Sequence, residues 1–331
     1  MISGGPGPVE DGPFYDELAT GHRFVEPPGC TLTDGAAAVY RSICGDHWAP
    51  GLDHRLGAAL TGAPRPLAHP GLVVAMSIGA STAATRRVIA NLFYRGLTLA
   101  RPVHIGETLR TTTEIRALSD ASRKPGSAAR GKMLLGITTT ADDDVVLAYE
   151  RCALLPCRGD ALPGHTDDIG SSSSPLALDR YTSTGVGDWD LTLLGDRDDW
   201  QVDEVRVDPL RDVVDGATAL VRLTHNLASV HRDASASANG RRLVYGGHTV
   251  ALAQASLERC AGGLATLVGW HECNHTAPVF EGDLLSFEHR LVDELDVGGR
   301  LLRAINVRVH AHRDDAEPGL VLDWTPVVVT R

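Results

Sequence analysis

The sequence predicts an α+β chain in which one unit, an antiparallel sheet around a central apolar helix, is used twice. Three observations carry this expectation. Short motifs recur in the same order at nearly constant separation. Two stretches rich in small and apolar residues read as buried helices. Much of the remainder reads as β-branched strands parted by turn residues.

The recurrence can be followed residue by residue. Arg101-Pro102-Val103-His104-Ile105-Gly106-Glu107-Thr108-Leu109 matches Ala277-Pro278-Val279-Phe280-Glu281-Gly282-Asp283-Leu284-Leu285, with Pro102 and Pro278 176 positions apart. The turn Ala68-His69-Pro70 aligns with Tyr245-Gly246-Gly247 at a separation of 177, and Cys44-Gly45-Asp46 with Thr224-His225-Asn226 at 180. A period this long implies a tandem pseudo-dimer, not a solenoid. The two sheets are expected to join edge to edge, because an open strand edge invites unwanted pairing.

Taken in order, residues 1–14 form a Gly/Pro-rich tail. The first unit spans 15–158. It opens with a helix over Ala36 to Cys44, capped by Thr33 or Asp34, and Gly45 to Gly51 ends that helix. Leu72 to Asn91 reads as one long buried helix, since its apolar residues occupy every face. Thr108–Ile115, Lys132–Thr140 and Val145–Leu155 read as antiparallel strands, with Asp142-Asp143-Asp144 turning between the last two. Residues 159–187, with the Ser171–Ser174 run, read as a linker, and the second unit spans 188–331.

Composition narrows the function. A net charge of −11 over 331 residues disfavours nucleic acid and anionic membrane as partners. Six cysteines, at 30, 44, 152, 157, 260 and 273, show neither C-x-x-C nor a dense framework, which suits reduced thiols and a cytoplasmic location. No signal-peptide pattern opens the chain and no apolar run reaches membrane-spanning length. His271-x-Cys273-x-His275 and His310-x-His312 lie in strand-like sequence, so structural roles are favoured over a metal. Asp196–Asp199 reads as an exposed turn.

The most informative stretch is Arg241 to Ala255. A β-branched and aromatic run meets Gly246-Gly247, and a helix of small residues follows. The second glycine is expected to free the backbone so that main-chain N–H groups can approach a ligand closely. Backed by the positive end of the helix dipole, those donors suit a developing oxyanion.

The segments Val88 to Tyr94, Asn226 to His231, Arg242 to His248 and Pro278 to Asp283, with the repeated x-P-V-x-x-G-[DE]-x-L element, resemble the MaoC-like dehydratases and (R)-specific enoyl-CoA hydratases. The resemblance covers most of the chain outside the tail and linker. It implies the hotdog fold, here a tandem double hotdog, and reversible addition of water to a trans-2-enoyl-CoA. Mesaconyl-CoA or a related branched C5 acyl-CoA is the expected substrate. No cofactor is implied beyond the coenzyme A of the substrate, and the subunits would form a homo-oligomer of double hotdogs.

Carried over, the family pattern separates the halves. Members use an Asp, a His five residues on, and the N–H of a glycine at the helix entrance. The first half keeps Asp46, but Gly51 stands at the histidine position and Pro70, which has no N–H, stands opposite the glycine. Asp53 and His54 lie just beyond. That half is expected to be degenerate, with Asp46 a candidate to act across the pseudo-dimer. The second half has His231 and Gly247 in place, with Asn226 at the aspartate position, where its amide can orient water. Tyr245, Gly246 and His248 are expected to line the pocket. Arg86, Arg87 and Arg95 are candidates for the phosphates of coenzyme A. A second carboxylate on the substrate would call for an arginine, with Arg222, Arg232 or Arg242 nearest to the motif. A hotdog thioesterase and a non-catalytic acyl-CoA-binding protein are the competing readings.

Overall fold

The computed structural model describes residues 12–123, 126–171, 174–237, 240–313 and 316–331. Most of the stretch read as a tail therefore lies outside the described residues. The first unit contributes β1 (Cys30–Thr31), α1 (Asp34–Cys44), α2 (Ala49–Leu52), α3 (His54–Thr61), α4 (Pro70–Ser81), β2 (Ala90–Leu99), β3 (Thr108–Asp120), β4 (Arg130–Ala141) and β5 (Asp144–Pro156). The second contributes β6 (Val205–Val207), β7 (Asp212–Val213), α5 (Ala217–Leu223), α6 (Gly246–Cys260), β8 (Leu264–His275), β9 (Leu284–Val297), β10 (Arg300–His312) and β11 (Gly319–Thr330).

All the strands belong to one sheet, in the order β1-β3-β4-β5-β2-β8-β11-β10-β9-β6, with β7 also paired to β9. The strand pairs are antiparallel. The halves meet where β2 pairs with β8, Tyr94 opposite Cys273 and Leu97 opposite Trp270. Each half thereby covers an edge of the other, as the liability of open edges predicts. The seam is tight. A Cβ on Gly269 would lie 2.4 Å from the Leu97 carbonyl oxygen.

The central helices are α4 and α6. Eleven of the twelve α4 residues are buried, which explains an apolar sequence without a polar face. The helix is shorter than its apolar run suggests. It ends at Ser81, continues as a single 3₁₀ turn over Thr82–Thr85, and Asn91 already belongs to β2. Ser81 and Thr82 turn their hydroxyls onto the carbonyls of Ile78 and Gly79, a local alternative to further helix. The aspartate turn after β4 is a tight reversal, with Asp142 and Asp143 at φ 47° and 78°, a conformation short acidic side chains tolerate.

The stretch read as a linker is a packed strap. Tyr181 and Val186 are buried, the Tyr181 hydroxyl donates to the Trp270 carbonyl, and the Gly185 N–H donates to Ala100. Arg95 holds it down by donating to the carbonyls of Ile169 and Ser171 while pairing with Glu150 at 2.7 Å.

Helix α4 also sets the position of the loop after α5. A Cβ on Gly79 would lie 1.9 Å from the Thr224 carbonyl oxygen, a backbone atom with little room to yield. Gly79→Ala is expected to lower stability by about 1–3 kcal/mol through overpacking, and to displace the 224–227 loop with it. Denaturant unfolding checks this; an unchanged midpoint would mean that helix and loop are not in the contact described.

Candidate active site

The two central helices begin in equivalent places but end their first turns differently. His69 is the N-cap of α4 and Tyr245 the N-cap of α6, so Pro70 corresponds to Gly246 and Gly71 to Gly247. The flanking bridges, Leu67 with His104 and Leu243 with Phe280, keep the same separation of 176. The alignment of this turn read from sequence is thus one residue out. Gly71, not Pro70, stands opposite Gly247, and its N–H is present. That N–H donates to Nδ1 of His69 at 3.0 Å.

In the second half no side chain caps the helix. The first N–H groups of α6 have no acceptor within the helix and remain directed outward at its positive end. Neither Gly246 nor Gly247 has positive φ, so the expected backbone freedom is not their reason. Space is. A Cβ on Gly246 would lie 2.6 Å from Cε1 and Nε2 of His275, and one on Gly247 2.4 Å from the Tyr245 ring.

Asn226 and His231 reach this turn from the loop after α5. The Asn226 Oδ1 accepts from Ala228 N at 2.9 Å, as Asp46 Oδ1 accepts from Trp48 N at 2.8 Å. This shared Asx turn identifies 226 and 46 as equivalent. The loop is pinned by Leu227 N to Thr82 Oγ1, Ser229 N to the Arg86 carbonyl, and Arg232 Nε to the Asn226 carbonyl at 2.7 Å. Its last turn carries His231 to a ring distance of 5.7 Å from Tyr245. The His231 Nδ1 lies 2.9 Å from the Leu243 carbonyl, which can only accept, so Nδ1 carries the proton and Nε2 keeps its lone pair. Burial pushes the His231 pKa down to about 4, against the pull of the Leu243 carbonyl, with the Arg151 charge adding to the fall. The buried Nδ2 of Asn226 has no hydrogen-bond partner.

The wall behind this corner comes from the first half. Tyr94 on β2 stands directly opposite Arg151 on β5, and a bulge at Leu92 brings Asn91, opposite Ala153, onto the same face. The Tyr94 ring also packs against His275 at 6.1 Å. Arg151 donates to the Ser81 carbonyl and to Thr85 Oγ1 at 2.6 Å, on the turn that anchors the Asn226 loop. His275 is held near pKa 4 by burial and by its neighbour His231. Arg151 Nε, both amide atoms of Asn91 and Nε2 of His275 are buried without partners. Five unsatisfied polar atoms, counting Asn226 Nδ2, mark this corner as built for a polar ligand. Sequence reasoning gave no role to Asn91, Tyr94, Arg151 or His275; Asn91 and Tyr94 lay in the Val88 to Tyr94 segment that carried the resemblance, and His275 in the motif set aside as structural.

The equivalent first-half corner is closed. Because His69 Nδ1 accepts from Gly71, Nε2 holds the proton and donates to Glu258 Oε1 at 3.0 Å, with Asp46 Oδ1 at 3.6 Å. Asp46, His69 and Glu258 bring ligand-type atoms within 4.8 Å of one another. The capped imidazole nevertheless has no lone pair to offer an ion, so the trio does not fit a metal. Asp46 is committed here and does not reach across to His231. Asp53 caps α3 through Arg55 N and Leu56 N, and His54 is exposed beside it.

Other expectations require correction. His248 is buried on the side of α6 facing Ile43, within electrostatic reach of Asp215 and Glu281, away from the His231 corner. Arg95 is consumed by Glu150 and the strap. Arg242 pairs with Glu281, Arg232 pins the loop backbone and Arg222 is exposed, so none of the three faces the corner. Arg86 and Arg87 line a groove of about 1190 Å³ that also includes Met76, Ala80, Thr224 and Leu227, beside Asn226. A buried Ser256, Asp208 and His289 group lies deeper, but Asp208 bonds the serine and not the imidazole, so it is not a nucleophile triad.

Comparison with known proteins agrees with the geometry. No protein-family model matches the chain. It is 25% identical over 322 residues to mesaconyl-CoA hydratase of Cereibacter sphaeroides, covering 93% of this chain and 91% of that protein. It is 26% identical over 347 residues to beta-methylmalyl-CoA dehydratase of Chloroflexus aurantiacus, covering 96% and 97%. Among solved structures, a conserved hypothetical protein of Mycobacterium tuberculosis with a double hotdog fold is 40% identical, with a TM-score of 0.88 over 97% of this chain and 99% of that one. A putative MaoC domain dehydratase from Chloroflexus aurantiacus shares the fold at a TM-score of 0.84 and 22% identity, covering 96% and 97%. With one sheet wrapping two central helices, and the second helix start left uncapped beside His231, the chain is a double-hotdog protein similar to the MaoC-like dehydratases.

Proposed function

We propose that this chain adds water reversibly to the double bond of a 2-enoyl-CoA, with mesaconyl-CoA or a related branched C5 thioester as the first substrate. The names of the curated relatives support the substrate class. One observation carries the chemistry. His231 is fixed in the tautomer that leaves Nε2 unprotonated, next to a helix N-terminus where no side chain caps the N–H groups of Gly246 and Gly247.

Hydration needs a base for water, an acid for the α-carbon and donors for the enolate oxygen. In this reading water donates one proton to His231 Nε2 while its oxygen bonds to the β-carbon, oriented by the Asn226 amide. The electrons of the double bond move to the thioester oxygen, which the N–H groups at Gly246 and Gly247 hold. His231 then returns the proton to the α-carbon. The groove beside Asn226 would give the thioester room to enter, and Arg86 and Arg87, which line it, are the candidates for the coenzyme A phosphates.

Two outcomes test the reading. His231→Ala should cost about a hundredfold or more in kcat, His231→Gln should not rescue it, and Asn226→Ala should cost less. His54→Ala, altering an exposed side chain of the closed half, should leave the rate nearly unchanged. Spectrophotometric hydration of mesaconyl-CoA and crotonyl-CoA reads all four. Release of free coenzyme A thiol without hydration would mark a thioesterase instead.

The second outcome concerns pH. His231 is near pKa 4 in the folded chain and about 6.5 when unfolded, so the folded base is neutral and competent well below pH 6.5. The acid limb of kcat/KM should therefore lie near pH 4–5. Between 6.5 and 4 the unfolded chain binds more protons, so stability should fall with pH through that window. An acid limb at pH 6.5, with the protein still folded, would mean that the base is not desolvated in the way described for His231.

A further inference from the structure

Arg151 is the most unusual charged residue in the molecule. It is 3% exposed, and no carboxylate among the described residues lies within salt-bridge distance. One amino group is held by Ser81 and Thr85, while Nε has no partner. A buried cation without a counter-ion is costly, and chains retain one where something else supplies the negative charge. Most other buried or half-buried arginines of this chain have theirs: Arg101 with Glu107, Arg206 with Asp198, Arg259 with Asp208 and Arg303 with Glu294.

The surroundings specify the missing group. Arg151 faces the His231 corner, close enough for its charge to depress the His231 pKa. Tyr94 stands opposite it, and Asn91, one step further along β2 on the same face, has both amide atoms unsatisfied. A carboxylate brought here would find a guanidinium and an amide donor, and an alkyl end would find only unpaired polar atoms. Arginine suits that role because it stays charged when buried, and with one amino group held by Ser81 and Thr85 the unpartnered Nε–H is left to donate to a carboxylate oxygen.

We propose that Arg151, assisted by Asn91, recognises a second carboxylate at the acyl end of the substrate, and so selects half-thioesters of dicarboxylic acids over simple fatty enoyl thioesters. This rests on the reading of the His231 corner as the acyl-CoA site and specifies its substrate class. The specificity-determining side chains thus come from the first half, and the proton-transferring ones from the second.

Calorimetric binding tests the assignment without requiring turnover. Succinyl-CoA and butyryl-CoA have four-carbon acyl chains ending in carboxylate and methyl respectively, and neither has a double bond to hydrate. The intact protein is expected to bind succinyl-CoA about ten- to a hundredfold more tightly, the range for hydrogen bonds to a charged group. Arg151→Gln should bring the two to within about threefold by weakening succinyl-CoA alone. Arg151→Lys, which keeps the charge but not the Nε–H donor, should retain a reduced preference and serves if the glutamine variant fails to fold. No preference in the intact protein, or an equal loss for both thioesters in Arg151→Gln, overturns the assignment. If the preference appears and depends on Arg151 but mesaconyl-CoA is not hydrated, the carboxylate site stands and the hydratase reading falls.

Discussion

An α-helix starts with N–H groups that nothing inside the helix can satisfy, and this structure depends on how its two central helices meet that constraint. In α4 the imidazole of His69 folds over the helix start, accepts the Gly71 N–H and donates its own N–H to Glu258. In α6 two glycines leave the helix start uncapped, and the rings of His275 and Tyr245 crowd so close that no Cβ would fit. One end is thus closed by its own sequence, and the other is left to bind something negative. The asymmetry between the halves follows from this difference more than from any lost residue.

The β2–β8 seam makes the open end useful. Pairing Tyr94 with Cys273 sets the first-half strands behind the second-half helix, so the face carrying Asn91, Tyr94 and Arg151 closes the corner that His231 and Asn226 enter from the other side. A single unit would lack one of these walls. The closed half therefore still has work to do, as the surface against which an acyl group would lie. The same 81–86 turn anchors both the Asn226 loop and Arg151, which couples the two walls mechanically.

Burial governs the chemistry of this corner. Desolvation holds His231 and His275 neutral, each near pKa 4, so neither imidazole adds positive charge beside Arg151. The net result is one uncompensated cation, two neutral bases and several unpaired amide atoms in one corner. Each unpaired group costs stability in the free protein and becomes favourable only when a polar ligand satisfies it. Stability given up here is what would make the site selective.

Read alone, the residues were enough to show one sheet-and-helix unit used twice, because hydrophobic period, strand composition and a repeated turn motif are local properties; that this unit is a hotdog is what the family resemblance implied. That Asn226, His231 and the glycine pair lie together is what the resemblance implied, since each falls at a family motif position. Folding fixed what remained. The one-residue shift at the helix start was invisible because it depends on where each helix is capped, and the His69 cap appears only when the imidazole is seen on Gly71. Arg151 carries no motif, and the Val88 to Tyr94 segment gave Asn91 and Tyr94 no role. They become neighbours through the register of β2 against β5 and a bulge at Leu92, and in a sheet a shift of one residue would turn each side chain to the opposite face.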